Sequence, residues 1–435
     1  MPEFYLLIMA KRFVTAEWVL TANIYEVNLR QYTAEGTFKA FEKELPRLRD
    51  MGVDILWFMP LTPISIEKRQ GMLGSYYACS DYTLVNPEFG NLEDFQMLVK
   101  AAHSLGFKVL IDWVANHTGY DHKWTKEQPG FYKKNEEGNF YEAHGWTDVI
   151  DLDFKNEELR EEMILAMKFW IRECGIDGFR CDMAHLVPID FWMEARAILD
   201  KEKELFWLAE CEEPEYHVVF DATYTWEFLH KAEALYKGEA ALHDFEDVLR
   251  KYENRFPANA LRLYFTTNHD ENSHSGSEYE RLGSAAKAFA VFCATWKNSL
   301  PLIYSGQEMP NKKRLKFFDK DAIEWNGQFL LHDFYKTLLH LRKENPAMRA
   351  GDMSVETIRV QTTADKNVVA FVRRQGKSEV LVMLNLSKVS RLKIQMNDVA
   401  VKGKYISIFS GLEIDVNEET VLEMQAWEYR VYVKK

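Results

Sequence analysis

An eight-stranded (β/α)8 barrel followed by a C-terminal antiparallel β domain is the fold class this 435-residue chain predicts. Three observations predict it. Apolar, β-rich runs alternate with segments of helical period up to about residue 350, with no consecutive β-hairpins between them. Several of those runs end abruptly in an ionisable residue. Beyond residue 350 the period changes to two, and turn pairs such as Gln375-Gly376 and Ser410-Gly411 separate short strands.

The elements follow in order. Val19–Val27 is apolar and strand-like. Phe38, Phe41, Leu45 and Leu48 then recur at helical spacing within Thr37–Asp50. Ile55–Leu61 is the second strand, Leu92–Leu105 a helix and Lys108–Val114 the third strand. Residues 118–150 lose all period and are rich in Gly, Asn, Lys and aromatic residues, a length of irregular chain that is commonly functional. Alternation resumes with helix 156–173 and strand Gly178–Met183, then helix 189–201 and strand Leu205–Cys211. Val218–Tyr224 is the sixth strand, followed by helical residues 226–254. Arg262–Thr267, helix 283–296, Leu300–Ser305 and helix 331–344 complete eight units. A doubly wound sheet is disfavoured, because no Gly-rich phosphate turn follows the first strand. The barrel is therefore assigned to residues 1–117 and 151–350, an insert to 118–150 and a β-sandwich to 351–435.

Composition narrows the function classes. A hydrophobic content of 47% with 28% charged residues is that of an ordinary soluble globular protein. A net charge of −13 argues against nucleic acid or an anionic membrane as partner. The five cysteines show no CxxC or CxxH spacing and lie mostly in apolar surroundings, so buried thiols and a reducing, cytoplasmic setting are expected. The apolar patch Phe4–Ala10 follows Glu3 rather than basic residues and is short for a signal peptide.

Five segments carry the chemistry: Asp112-Trp-Val-Ala-Asn116-His117, Asp151-Leu-Asp153, Gly178-Phe-Arg180-Cys-Asp182, Leu208-Ala-Glu210 and Asn268-His269-Asp270. A charge at the end of an apolar run costs several kcal/mol unless it is paired or faces a cleft. Five in series are expected to converge on one polar site. In a parallel barrel all strand C-termini share one face, which would gather Asp112, Asp182, Glu210 and Asp270. Such a cluster either holds a metal or performs carboxylate-pair chemistry. Neighbouring strands lie about 4.8 Å apart, which would set Asp182 and Glu210 near the roughly 5–5.5 Å that retaining glycoside cleavage requires. No spacing suited to a transition metal appears.

The ordered set of these segments resembles the alpha-amylase superfamily of retaining glycoside hydrolases, over nearly the whole chain. The resemblance implies a hydrolase, endo-acting on the α-1,4 links of malto-oligosaccharides, starch or glycogen. The alternative is a transglycosylase of the same fold. It implies Asp182 as nucleophile, Glu210 as general acid/base and Asp270 as the group holding the distorted sugar. Arg180 would orient Asp182, His117 and His269 would donate to hydroxyls, and Asp112 would support the site. Tyr77, within Gly74-Ser-Tyr-Tyr-Ala-Cys-Ser-Asp81-Tyr82, fits the aromatic platform, with Tyr76 as its rival. Aromatic residues of the insert, Trp124, Phe131, Tyr132 and Trp146, suit either sugar stacking or a small core of their own. Asn116 and Asp151 match a structural calcium position. The family's lysine–histidine pair after the nucleophile is absent, since Leu186 stands there with His185 before it. The N-terminal β domain of cyclodextrin-degrading relatives is expected to be missing. A non-catalytic barrel of the transporter-ancillary kind would lack these carboxylates and is excluded.

Overall fold

The computed structural model describes residues 13–396, 401–417 and 419–435; the N-terminal patch discussed above lies outside them. Eight parallel strands close a barrel. In chain order the strands are β1 (Ile24–Val27), β2 (Ile55–Phe58), β3 (Lys108–Trp113), β4 (His117–Gly119), β5 (Val149–Asp151), β6 (Gly178–Cys181), β7 (Phe206–Ala209), β8 (Ala222–Tyr224), β9 (Leu261–Tyr264) and β10 (Ser299–Tyr304). The barrel runs β1-β2-β3-β6-β7-β8-β9-β10 and closes on itself, while β4 and β5 form a separate antiparallel pair at the base of the insert. Every barrel strand is buried on both faces, which explains the continuous apolar runs.

Two of the apolar runs begin in 3₁₀ turns instead of strand. Glu17–Thr21 winds into a 3₁₀ turn, so β1 begins at Ile24 rather than Val19. Pro214–Val218 is likewise a 3₁₀ turn, and the sixth barrel strand keeps only Ala222–Tyr224. In both cases the apolar residues pack into the core without joining the ladder: Val19 and Val219 are fully buried. The long helical stretches also break, at Lys43-Glu44 and between Lys237 and Leu242, where Gly238 adopts a left-handed conformation.

Register aims the site residues. Asp112 pairs with Arg180, and Cys181 with Ala209. Asp182 N–H donates to Trp113 O and Glu210 N–H to Cys181 O, both at 3.0 Å. Asp182 and Glu210 therefore stand side by side, one residue beyond the last paired positions of adjacent strands.

The C-terminal region is β11 (Glu356–Arg359), β12 (Val368–Gln375), β13 (Ser378–Asn385), β14 (Leu392–Gln395), β15 (Gly403–Ser407), β16 (Glu413–Val416), β17 (Val421–Met424) and β18 (Tyr429–Lys434). Six strands form one sheet and β14–β17 a ribbon over it. The period-two pattern is used on both faces. Val368, Ala370 and Val372 join a core under the ribbon, whereas Val369 and Phe371 join the barrel's core. All five cysteines are buried and free. Among the described residues no helix is long and apolar enough to cross a membrane.

Gly178 opens β6 where a side chain has no room: a Cβ there would lie 2.0 Å from Phe206 O. Gly178→Ala must separate β6 from β7, at a cost of about 2–3 kcal/mol. Calorimetry should show its thermal midpoint lowered by several degrees, with activity reduced because Asp182 and Glu210 end those two strands.

Candidate active site

Arg180 is fully buried near the end of β6, and its guanidinium organises the rim. Nη1 donates to Asp112 Oδ1 at 2.8 Å and to Asp182 Oδ1 at 3.1 Å. Nη2 lies 2.7 Å from Glu210 Oε2, an ion pair by distance rather than an aligned hydrogen bond. Nε donates to Tyr224 Oη at 3.1 Å. Three carboxylates thus surround one cation. Burial pushes the carboxyl of Asp182 well above the usual range, the Glu210 charge adds to this, and Arg180 opposes both. Burial likewise pushes Asp112 up to about 6 against the pull of Arg180.

Met183, directly after Asp182, has φ of 40°. A non-glycine residue in the left-handed region costs about 1–3 kcal/mol and is held only by its surroundings. Here the turn points Met183 N–H back at Glu210 Oε2, 2.9 Å away. The kink links the two acids through the backbone as well as through Arg180.

A second charged group faces the first. His269, fully enclosed, contacts Glu26 Oε1 through Nδ1 and lies 3.3 Å from Asp270 Oδ2 and 2.7 Å from Tyr77 Oη through Nε2. Burial alone would lower its pKa, but Asp270 and Glu26 overcome that and lift it to about 9. Tyr77 Oη and Trp57 Nε1 both donate to Asp112 Oδ2, at 3.1 and 3.2 Å. His117 is the uncharged counterpart: burial lowers its pKa to about 4, and its ring meets Trp146 edge-on.

Of these groups Tyr77, His117, Asp182, Glu210 and Asp270 line one cleft of about 320 Å³, together with Gln70, Trp146, Asp148, His274, Phe317 and Phe318 among others, whereas Asp112, Arg180 and His269 are buried and outside its lining. Tyr77 rather than Tyr76 faces it; Tyr76 donates instead to Asn28 Oδ1 and packs under Arg30. In the insert, Trp124, Phe131 and Tyr132 are core, and Trp146 alone of the four reaches the cleft.

The Asp151-Leu-Asp153 segment does not converge on the rim with the other four. Asp151 ends β5 and pairs with Lys133 Nζ at 3.1 Å, while Asp153 shapes the turn before the helix Glu157–Phe169. Asn116 lies beside it through Leu152 N–H to Asn116 O, but its side chain contacts His117 Nδ1. Among the described residues no third acidic, histidine or cysteine side chain completes a metal cluster there. Lys133 Nζ supplies positive charge to one oxygen of Asp151, while the other, Oδ1, is buried without a hydrogen-bond partner.

Several site residues went unread in the sequence. Glu26 left a signal, a lone carboxylate inside the apolar run Ile24–Val27. Phe317, Phe318, Gln70 and Asp148 left none, because they sit in unpatterned loops.

With this geometry in hand, comparison with known proteins is informative. Residues 9–148 and 130–326 match the family described as alpha amylase, catalytic domain. The alpha-amylase MalA of Haloarcula japonica is 28% identical over 392 residues, covering 85% of this chain; the chain spans 56% of that protein's length. The maltogenic alpha-amylase AmyB of Thermotoga neapolitana superposes with a TM-score of 0.87 at 29% identity, over 95% of this chain and 98% of that one. An alpha-1,4-glucan:maltose-1-phosphate maltosyltransferase of Salinibacter ruber is 24% identical, covering 88% of this chain and 62% of that protein.

The charge on His269 sets a pH dependence. Its folded pKa lies above the ordinary 6.5, so its stabilising pairing is complete below that value and is lost as pH rises through about 9. The thermal midpoint should therefore fall between pH 6.5 and 9, and His269→Gln should flatten that slope; an unchanged slope in the variant would refute the assignment.

Proposed function

Because the chain belongs to the alpha-amylase catalytic-domain family, we propose that it hydrolyses α-1,4-glucosidic links of malto-oligosaccharides with retention of anomeric configuration. The observation that carries this reading is the pairing of Asp182 and Glu210 on adjacent strand ends, each within reach of Arg180. Strand spacing favours the short separation at which one carboxylate attacks directly, without room for a water between.

In the first step Asp182 attacks the anomeric carbon while Glu210 gives its proton to the departing glycosidic oxygen. The carbon–oxygen bond breaks, leaving a glycosyl ester on Asp182. In the second step Glu210 removes a proton from water, the water oxygen bonds to the same carbon, and Asp182 is released. Arg180 balances negative charge on Asp182 at both stages. Asp270 binds ring hydroxyls, His269 holds Asp270 in place from behind, and Tyr77 supplies the apolar floor. Tyr77 Oη, held by His269 and Asp112, keeps that ring flat against the site.

A maltosyltransferase among the relatives favours transfer to a second sugar as the alternative outcome for the same intermediate. Product analysis from maltotetraose separates the two: chains longer than the substrate would defeat pure hydrolysis, and first-formed α-anomers would support retention. Glu210→Gln should lower turnover by about 10²–10⁴-fold with the fold preserved by circular dichroism. Wild-type activity in that variant would mean the wrong acid was named.

We further propose that Lys133, rather than a divalent cation, anchors the base of the insert through Asp151. Chelator treatment should leave activity and thermal midpoint unchanged, whereas Lys133→Met should lower the midpoint. Loss of activity on chelation, restored by calcium, would overturn this.

A further inference from the structure

The catalytic pair occupies the fourth and fifth barrel positions, β6 and β7, whereas the loops after β10, β1 and β2 stand across the rim from them. If the proposed chemistry holds, the leaving sugar departs over Glu210. The rest of the glucan, toward its non-reducing end, must then run the other way, across Tyr77 and toward those loops.

That side is built as a floor with a wall. The Phe317 ring lies parallel to that of Tyr77 in a stacked arrangement, 6.3 Å between centroids at 12°. Phe318, the next residue, stands nearly perpendicular to it, 5.1 Å away at 72°. Both rings are only half-buried, and both line the cleft.

The wall is stitched in place rather than lying loose. Leu73 N–H, from the loop after β2, donates to Phe318 O at 3.0 Å, and Met72 N–H donates to Asp319 Oδ1 at 2.9 Å. Beneath it, the fully buried Gln31 donates to Lys316 O and Asp319 O at 2.8 and 2.7 Å, and Arg30 donates to Gly74 O at 3.0 Å. On the insert side, Gln70 Nε2 donates to Asp148 Oδ1 at 3.0 Å, which joins the loop after β2 to the insert. The remaining oxygen of Asp148, Oδ2, is buried in the cleft wall without a hydrogen-bond partner. An orphan carboxylate oxygen in such a wall suits a sugar hydroxyl as its donor.

We propose that Phe318, fixed by Leu73 and Asp319, closes the donor end of the cleft, so that this enzyme takes glucan chains by their non-reducing ends and releases short products. This rests on the hydrolytic reading above and departs from the interior cleavage expected from the sequence. Interior cleavage needs a groove open in both directions, and a wall that ties three loops together removes one of them.

The test compares maltoheptaose with its derivative carrying a 4,6-ethylidene cap on the non-reducing glucose, followed by product chromatography. The capped chain should be cut roughly 10–100-fold more slowly, and the free chain should yield short products from the first time points. Phe318→Ala should narrow the gap by speeding cleavage of the capped chain relative to the free one. Equal rates on both substrates with wild-type enzyme would overturn the proposal, whatever the variant does. No cleavage of either would defeat the hydrolytic reading, and this inference with it.

Discussion

A single buried guanidinium makes the rest of this site physically admissible. Asp112, Asp182 and Glu210 cannot be brought into one low-dielectric rim without a cation, and Arg180 contacts all three. Its own position follows from register: Arg180 lies opposite Asp112 and Leu208 in the ladders on either side. Slippage of β6 by one residue would turn Arg180 away and leave the acids unpaired. One cation therefore faces three acids, and the two strand-end carboxylates Asp182 and Glu210 share it.

His269 is a second balance of the same kind, set against Glu26 and Asp270. The two networks meet at Tyr77, whose hydroxyl bonds both Asp112 and His269. The aromatic floor is thus an electrostatic joint as well as an apolar surface, and Phe317 extends it toward the loop after β10. Rigidity reaches the floor from below, through Trp57 to Asp112 and through Arg30 and Gln31 to the neighbouring loops.

The C-terminal sheet contributes at a distance. Its strands bury alternate residues in two cores, so the sheet is fastened between the barrel and the β14–β17 ribbon. Arg373 and Arg342, both buried, bond to carbonyl oxygens around Trp296 and Ser299 rather than to carboxylates. Burial consequently lowers both below the ordinary arginine range, to about 9 and about 10. These contacts brace the start of β10, the strand whose following loop carries Phe317 and Phe318.

Much of this was legible in the sequence, for a definite reason. Alternating apolar runs and strand-terminal charges are local patterns, and a parallel barrel places every strand's C-terminus on one face. Asp112, Arg180, Asp182, Glu210 and Asp270 could therefore be grouped from chain order alone. Three-dimensional packing decided what has no local pattern. It turned the start of the first strand's run into a 3₁₀ turn at Glu17–Thr21, and it sent Asp151 to Lys133 instead of the rim. It also gave Glu26 its histidine partner from 243 positions away and raised Phe318 over the cleft by a bond to Leu73. The chain's own pattern specifies which residues a strand must present; which neighbour each one meets is set by loops whose conformation depends on contacts far along the chain.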